Sequence, residues 1–392
     1  MNLECKIRES VTCESEEYAE CALRLHKKFK GKLEVTSKQQ LKTKEDWSTM
    51  YTPGVGAVSD FLHKNPKEIK NYTMKSNSVA VISDGSAVLG LGNIGAGASL
   101  PVMEGKCAIL SEMAHIDGIP IVLGTQDTEE IIETLKNMSP TFGAINLEDF
   151  SAPRCFEIEE RLQKELDIPI MHDDQHGTAM VVLAGIINAS KVVKKNCKNL
   201  KIVVVGAGAA GQAISHLLLA SGVKNVIVVD SRGTLYKGRK NMDAYKKKLA
   251  NISNPKKVKG AVADAVKGAD VVIGVSGPGT ITEEHIQSMN RDAVVFALAN
   301  PIPEITPEKA KSAGALIVAT GRSDYPNQVN NSLVFPGVFR GALDNNVREF
   351  TREMKVKVAK KVAGLVSTPT KDKIIPGVTH PKLVKEVASV VK

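Results

Sequence analysis

Short apolar runs that end in polar residues recur along this chain. Their spacing predicts strands alternating with helices. SVAVISDG (78–85) is β-rich and stops at Asp84-Gly85. IPIVLG (119–124), FGAINLEDF (142–150) and IPIMHDD (168–174) repeat the form. Residues 16–30 carry a helical apolar stripe that ends at Gly31, and LEVTS (33–37) reads as a short strand. YTPGVGAVSDFL (51–62) reads as a turn entering a helix, and residues 87–110 as a glycine-dense loop followed by a helix through Lys106. After the basic segment KVVKKNCKN (191–199), a second unit opens with strand, glycine turn, helix and strand over residues 200–233. ADVVIGVSGPG (269–279), AVVFALANPIPE (293–304) and ALIVATG (315–321) add three strand-loop units. The tail from about Thr351 reads as helical, with a loop at 367–381.

This alternation predicts an α/β fold. The expected division is an N-terminal α/β part over 1–175, a Rossmann-type doubly wound part over 176–345 and a C-terminal helical segment over 346–392. In open α/β sheets ligands collect at the carboxyl ends of strands. Asp84, Glu148, Asp149, Asp173 and Asp174 all stand at such ends.

The glycine turn is Gly206-Ala207-Gly208-Ala209-Ala210-Gly211, a G-x-G-x-x-G that follows a β-branched run and opens a helix. Asp230 ends the next strand, where a dinucleotide fold keeps an acid for the adenosine ribose. That favours NAD. Arg232 and Lys237 lie just downstream and suit the 2′-phosphate of NADP, so both cofactors stay open.

HDDQH (172–176) permits two readings. His172 and His176 four apart on one helix would resemble a zinc-hydrolase site. A strand ending at His172 and a helix starting near Gly177-Thr178 would break that face. Asp174 would then join Glu148 and Asp149 as an all-oxygen set for Mg²⁺ or Mn²⁺. Lys106, in PVMEGK, is a candidate general base if burial depresses its pKa.

Composition narrows the partners. Aromatics at 4% give little surface for stacking nucleic-acid bases, and the +9 net charge is spread over scattered lysines. No apolar stretch approaches the ~18 residues of a membrane span. The acid-rich N-terminus resembles neither a secretory signal nor a transit peptide. Six cysteines without a paired framework read as reduced thiols of a cytoplasmic protein. Nucleic-acid and membrane partners are therefore not expected.

Taken together, YTPGVGAVSDF, VISDGSAVLGLGNIG, LPVMEGK, INLEDFSAPRCFEIE, IPIMHDDQHGTA, VVVGAGAAG, ALANPIPE and FPGVFRGALD resemble the malic enzyme family in its shorter prokaryotic-type form. They occur in the family's order across roughly residues 45–345. The resemblance implies oxidative decarboxylation of (S)-malate to pyruvate and CO₂, with a nicotinamide cofactor and a divalent cation. It implies Glu148, Asp149 and Asp174 as metal ligands, Lys106 as general base and Tyr51 as general acid, with Asp173 beside the lysine. It implies Asn300 and Asn331 at substrate and cofactor, Thr178 on a helix facing the cofactor, and a homodimer or homotetramer.

Two positions depart from larger relatives. Ala87 stands where those enzymes carry a carboxylate-binding arginine, and Asn93 stands where many carry Asp. The resemblance to the shorter form leads us to expect no acetyltransferase-like extension of the kind some bacterial relatives carry. Two other readings share some of these features. One is a metal-assisted 2-hydroxy-acid dehydrogenase that does not decarboxylate, and the other is a dinucleotide sensor without turnover.

Overall fold

The computed structural model describes residues 18–88 and 90–392. The described residues divide into two compact units, one ending at Gln40 and the other spanning Leu41–Lys392. The described part of the first contains a helix at Tyr18–Phe29. LEVTS does not form the expected strand. Val35 is 97% exposed, with no sheet edge to pair against. Cys21 is disulfide-bonded, which corrects the all-thiol expectation. Cys107, Cys155 and Cys197 are free thiols, while Cys5 and Cys13 lie outside the described residues.

The larger unit holds two sheets. The first runs β2-β1-β3-β4, all parallel, from β1 (Ser78–Ser83), β2 (Asp117–Val122), β3 (Ala144–Leu147) and β4 (Ile170–His172). Both faces of β1 are buried, as its unbroken apolar run requires. Val79 and Val81 pack with Met103, Cys107 and Leu110 of the Ala96–Ala114 helix. Ala80 and Ile82 turn to the opposite core, beside Ile131, Leu135, Ile158 and Leu162. The two-residue side-chain period thus divides one strand between two helical layers.

The second sheet is ordered β10-β9-β8-β5-β6-β7. Its strands are β5 (Lys201–Val205), β6 (Asn225–Asp230), β7 (Gly233–Thr234), β8 (Val271–Gly274), β9 (Val294–Ala297) and β10 (Ile317–Thr320). Only the short edge strand β7 is antiparallel. Chain order reverses between β5 and β8, which creates the crevice where doubly wound sheets bind ligands. In β5, Ile202 and Val204 face one core, and Val203 and Val205 face the other.

The helix Asp173–Val192 joins the two halves. It starts directly after β4 and is buried along most of its length. It packs on the helices Ala209–Ala220 and Arg352–Gly364. Gly185 lets Phe296 of β9 approach, since a Cβ there would lie 2.9 Å from the ring. Among the described residues no helix is long and apolar enough to cross a membrane.

Fully buried Phe296 offers a direct check on this packing. Phe296→Ala should destabilise the protein by about 3–5 kcal/mol through the cavity it leaves. Urea unfolding followed by circular dichroism measures this, and an unchanged midpoint would contradict the packing.

Candidate active site

Two strand-to-helix connections meet at the carboxyl ends of β3 and β4. Glu148 and Asp149 follow β3, with Asp149 in the left-handed backbone region at φ 58°. That turn aims the Asp149 N–H at Asp174 Oδ2, 2.8 Å away. One ligand oxygen from each of Glu148, Asp149 and Asp174 lies within 4.8 Å of the others. Asn146 Nδ2 donates to Glu148 Oε2 at 3.0 Å and fixes that carboxylate.

Lys106 enters from the Ala96–Ala114 helix. Its Nζ lies 2.5 Å from Asp173 Oδ2, 2.9 Å from Glu148 Oε1 and 3.1 Å from Asn331 Oδ1. The ammonium also sits 4.6 Å from the centre of the Phe335 ring. Burial lowers the Lys106 pKa, but Asp173, Glu148 and Asp174 raise it by more. The acids that bury the lysine thus hold its charge, and depression into the range of a general base requires a cation that neutralises them. Burial also raises the acids, Glu148 to about 7 and Asp173 to about 6, and raises Asp174 as well.

Four carboxylates thus surround one ammonium, leaving an excess of negative charge and of oxygen donors. That set fits a hard divalent cation held by Glu148, Asp149 and Asp174.

The zinc reading fails on geometry. The helix begins at Asp173, four residues earlier than Gly177 suggested, and His172 stays on β4. His176 turns away, with Nε2 3.0 Å from Glu159 Oε2. Gly177 looked like a helix start because glycine is a poor helix former. Its reason is steric. A Cβ at 177 would lie 1.9 Å from Asp173 Oδ1 and 2.9 Å from Asn331 Cβ.

Glu159 is a functional candidate that sequence alone missed. Its Oε1 accepts from the His172 N–H at 2.9 Å, and its Oε2 accepts from Gln175 Nε2 at 3.1 Å. It therefore holds the corner that carries Asp173 and Asp174. Burial opposes its charge, yet His176 and Lys355 hold its pKa below the usual range. A buried acid one helix upstream of a polar cluster was its only sequence signal.

The cofactor turn follows β5. A Cβ on Gly206 (φ 117°) would lie 2.3 Å from Val275 O, and one on Gly211 1.9 Å from Gly206 O. Gly208 faces open space, free for a pyrophosphate to approach, and Ala209 and Ala210 open the helix behind it. A cavity of about 600 Å³ runs from this turn to Asp230 and is closed across the crevice by Ala152, Pro153 and Phe156.

Asp230 is paired with cations other than the two that the sequence marked for a 2′-phosphate. Arg239 Nη2 lies 2.5 Å from its Oδ2 and Lys246 Nζ 3.1 Å from the same oxygen. Arg232 gives only its backbone N–H to Oδ1, and its side chain reaches Asn241 O. Burial raises the Asp230 pKa, but these donors bring it down to about 2.

The other predicted residues divide. Asn331 joins the Lys106 cluster, and Thr178 lies half-buried one turn after Asp174. Asn300 is half-buried beyond β9. Its carbonyl oxygen would lie 2.1 Å from a Cβ on Gly90, so the loops after β1 and β9 meet across a glycine. Tyr51 is 63% exposed at the end of the Lys44–Met50 helix. Among the described residues no hydrogen bond joins it to Lys106 or the carboxylates.

The Ala87 segment does receive a guanidinium. Arg154 bonds Ser86 Oγ at 2.8 Å, but it is committed to Asp84 at 2.6 Å. Asn93 exchanges two amide hydrogen bonds with Gln126, at 3.0 and 2.9 Å, a pairing that Asp could not complete.

Comparison with known proteins gives consistent matches. A family profile described as "Malic enzyme, NAD binding domain" matches residues 175–391. Another, "Malic enzyme, N-terminal domain", matches residues 30–130 and 124–163. An NAD-dependent malic enzyme of Geobacillus stearothermophilus is 51% identical over 363 residues, covering 92% of this chain and 76% of that protein. A bifunctional malic/malolactic enzyme of Bacillus subtilis is 49% identical, covering 94% and 91%. The crystal structure of an NAD-dependent malic enzyme from Thermotoga maritima superposes with a TM-score of 0.91 at 45% identity, covering 95% of this chain and 98% of that one.

Gly177 yields a prediction opposite to helix propensity. In an ordinary helix Gly→Ala stabilises by about 0.8–1.0 kcal/mol. Here Gly177→Ala should displace Asp173 and cut kcat on the order of 10- to 100-fold, with NAD binding intact. Initial rates and NAD titration check this, and a fully active, more stable variant would contradict it.

Proposed function

This chain belongs to the malic enzyme family, and we propose from that premise that Glu148, Asp149 and Asp174 hold a divalent cation while Lys106 and Tyr51 move the protons. It is an NAD(P)-dependent oxidoreductase of oxidative malate decarboxylation. The observation that carries the reading is Lys106 seated between Asp173 and Asn331 at the edge of the carboxylate set. A binding protein would have no use for a buried ammonium among such acids.

When bound, the cation would polarise the malate C2 oxygen and offset the charge left as CO₂ departs, and the nicotinamide would take the C2 hydride. Mg²⁺ or Mn²⁺ suits the all-oxygen donors. Lys106 takes the C2 hydroxyl proton, and Asp173 receives the charge this creates on the amine. The acids that keep Lys106 an ammonium are also the cation ligands or their neighbours. Neutralising them frees the lysine to act as a base. Asn331 orients the amine through its Oδ1. Tyr51 delivers the proton to C3 that yields pyruvate.

Division of the chain at 175/176 and 345/346 into substrate, dinucleotide and C-terminal parts belongs to the same proposal. Thr178, Asn300 and Asn331 border the reacting centre between the first two parts. Gly206, Gly208, Ala209, Ala210 and Gly211 hold the pyrophosphate. NAD is the preferred cofactor, since Asp230 stays ionised and can accept from both ribose hydroxyls. A homodimer or homotetramer completes the reading. Trp47, Met50, Tyr51 and Val55 leave a broad apolar surface exposed on the helices around Tyr51, which a second copy would cover.

Metal dependence tests the carboxylate assignment. Chelation should abolish malate turnover, and Mn²⁺ or Mg²⁺ should restore it in the native protein but not in Asp174→Asn. Restoration by Zn²⁺ alone, or a metal-independent native enzyme, would contradict it.

Cofactor choice tests Asp230. Asp230→Ser should free Arg239 and Lys246 for a 2′-phosphate. It should shift the ratio of kcat/KM values toward NADP by about tenfold or more, as charge-assisted hydrogen bonds contribute on the order of 1.5–3 kcal/mol. An unchanged ratio would remove Asp230 from cofactor selection.

A further inference from the structure

We propose that a second cavity, behind the corner that carries Asp173 and Asp174, binds a small dianion of the phosphate class. The cavity encloses about 360 Å³, at the small end of the roughly 300–1,000 Å³ typical of ligand pockets. Four helices close it, bringing Glu159, His176, His216, Arg352 and Lys355 to its walls. A fifth helix, Ala244–Ile252, supplies Lys248.

The charges there are unevenly matched. Lys355 is buried, yet among the described residues no carboxylate oxygen lies within 4 Å of its Nζ. The same holds for Lys248 and Arg352. Both oxygens of Glu159 are already engaged by His172, Gln175 and His176. Glu160 and Glu349 line the same cavity as exposed side chains. The charged groups that act on His216 are Arg352, His176 and Lys248, and none is an acid. Burial pushes the Lys355 amine down to about 8, so this site disfavours its own cation unless an anion arrives. The 13-residue helix Arg352–Gly364 also starts at the cavity, adding the positive end of its dipole. Cations from two helices around an imidazole suit a tetrahedral dianion, which accepts from several directions at once.

An occupant here would be felt elsewhere. Glu159 forms the wall and also grips the corner bearing Asp173 and Asp174. Phe156 and Gln212 line both this cavity and the dinucleotide cavity. Binding would therefore couple to cofactor affinity, and the coupling would run both ways. The proposal stands apart from the catalytic reading, because its readout is binding.

The test is calorimetric titration of inorganic phosphate into the full chain saturated with NAD at constant ionic strength. A simple phosphate monoester goes in a parallel arm. The native protein should bind at a single saturable site. Lys355→Met and the exposed-position variant Arg352→Gln should each weaken binding by about tenfold or more. Arg352→Gln should keep native malate turnover in phosphate-free buffer. Tighter binding of the monoester would identify an organic phosphate as the occupant, and tighter binding of inorganic phosphate the free ion; both support the site. Absence of saturable binding, or binding that both variants retain, would overturn it.

Discussion

Four carboxylates and one ammonium share the carboxyl ends of β3 and β4, and their charge imbalance organises the rest of the molecule. Lys106 contacts Asp173 and Glu148 directly, and Asp174 reinforces the same field. Burying so many acids is costly unless each is hydrogen-bonded or paired. The surrounding architecture supplies those partners. Asn146 holds Glu148, the Asp149 N–H holds Asp174, and Asn331 holds the lysine. The strain at Asp149, whose backbone is left-handed, is sustained by the hydrogen bond it makes possible.

The two sheets serve this cluster by position. The Asp173–Val192 helix begins in the carboxylate site and ends beside the dinucleotide sheet, so one rigid element fixes the distance between the carboxylate set and the glycine turn. Glycines set the approach at three of its joints. Gly177 makes room for the Asp173 carboxylate, Gly90 for the Asn300 loop, and Gly206 for the strand after the topological switch. A larger residue at any of the three would displace the atom it faces: Asp173 Oδ1, Asn300 O or Val275 O.

Much of this was legible in the chain, and the limits have physical causes. The strands around Val81, Ile145 and Val204 were readable because buried parallel strands need unbroken apolar runs. The dinucleotide turn was readable because Gly206 and Gly211 are sterically required and Gly208 keeps the turn open. The carboxylate set was readable because it stands at strand ends. The start of the Asp173 helix was misread because Gly177 answers a tertiary contact and not a local propensity. The Lys106 charge state is not legible in the sequence because it depends on distances to Asp173, 67 residues away. Arg239 and Lys246, nine and sixteen residues beyond Asp230, carry no local mark of their role. The role of Tyr51 rests on family resemblance alone, since among the described residues no hydrogen bond draws it toward the site.

The most direct measurement follows reduced nicotinamide and pyruvate together, from (S)-malate, NAD and Mn²⁺, in the native protein and in Lys106→Met. The account predicts equal amounts of both products from the native enzyme. It predicts neither product from the variant, which should still bind NAD. Undiminished turnover by Lys106→Met, or reduced nicotinamide without pyruvate from the native chain, would contradict it.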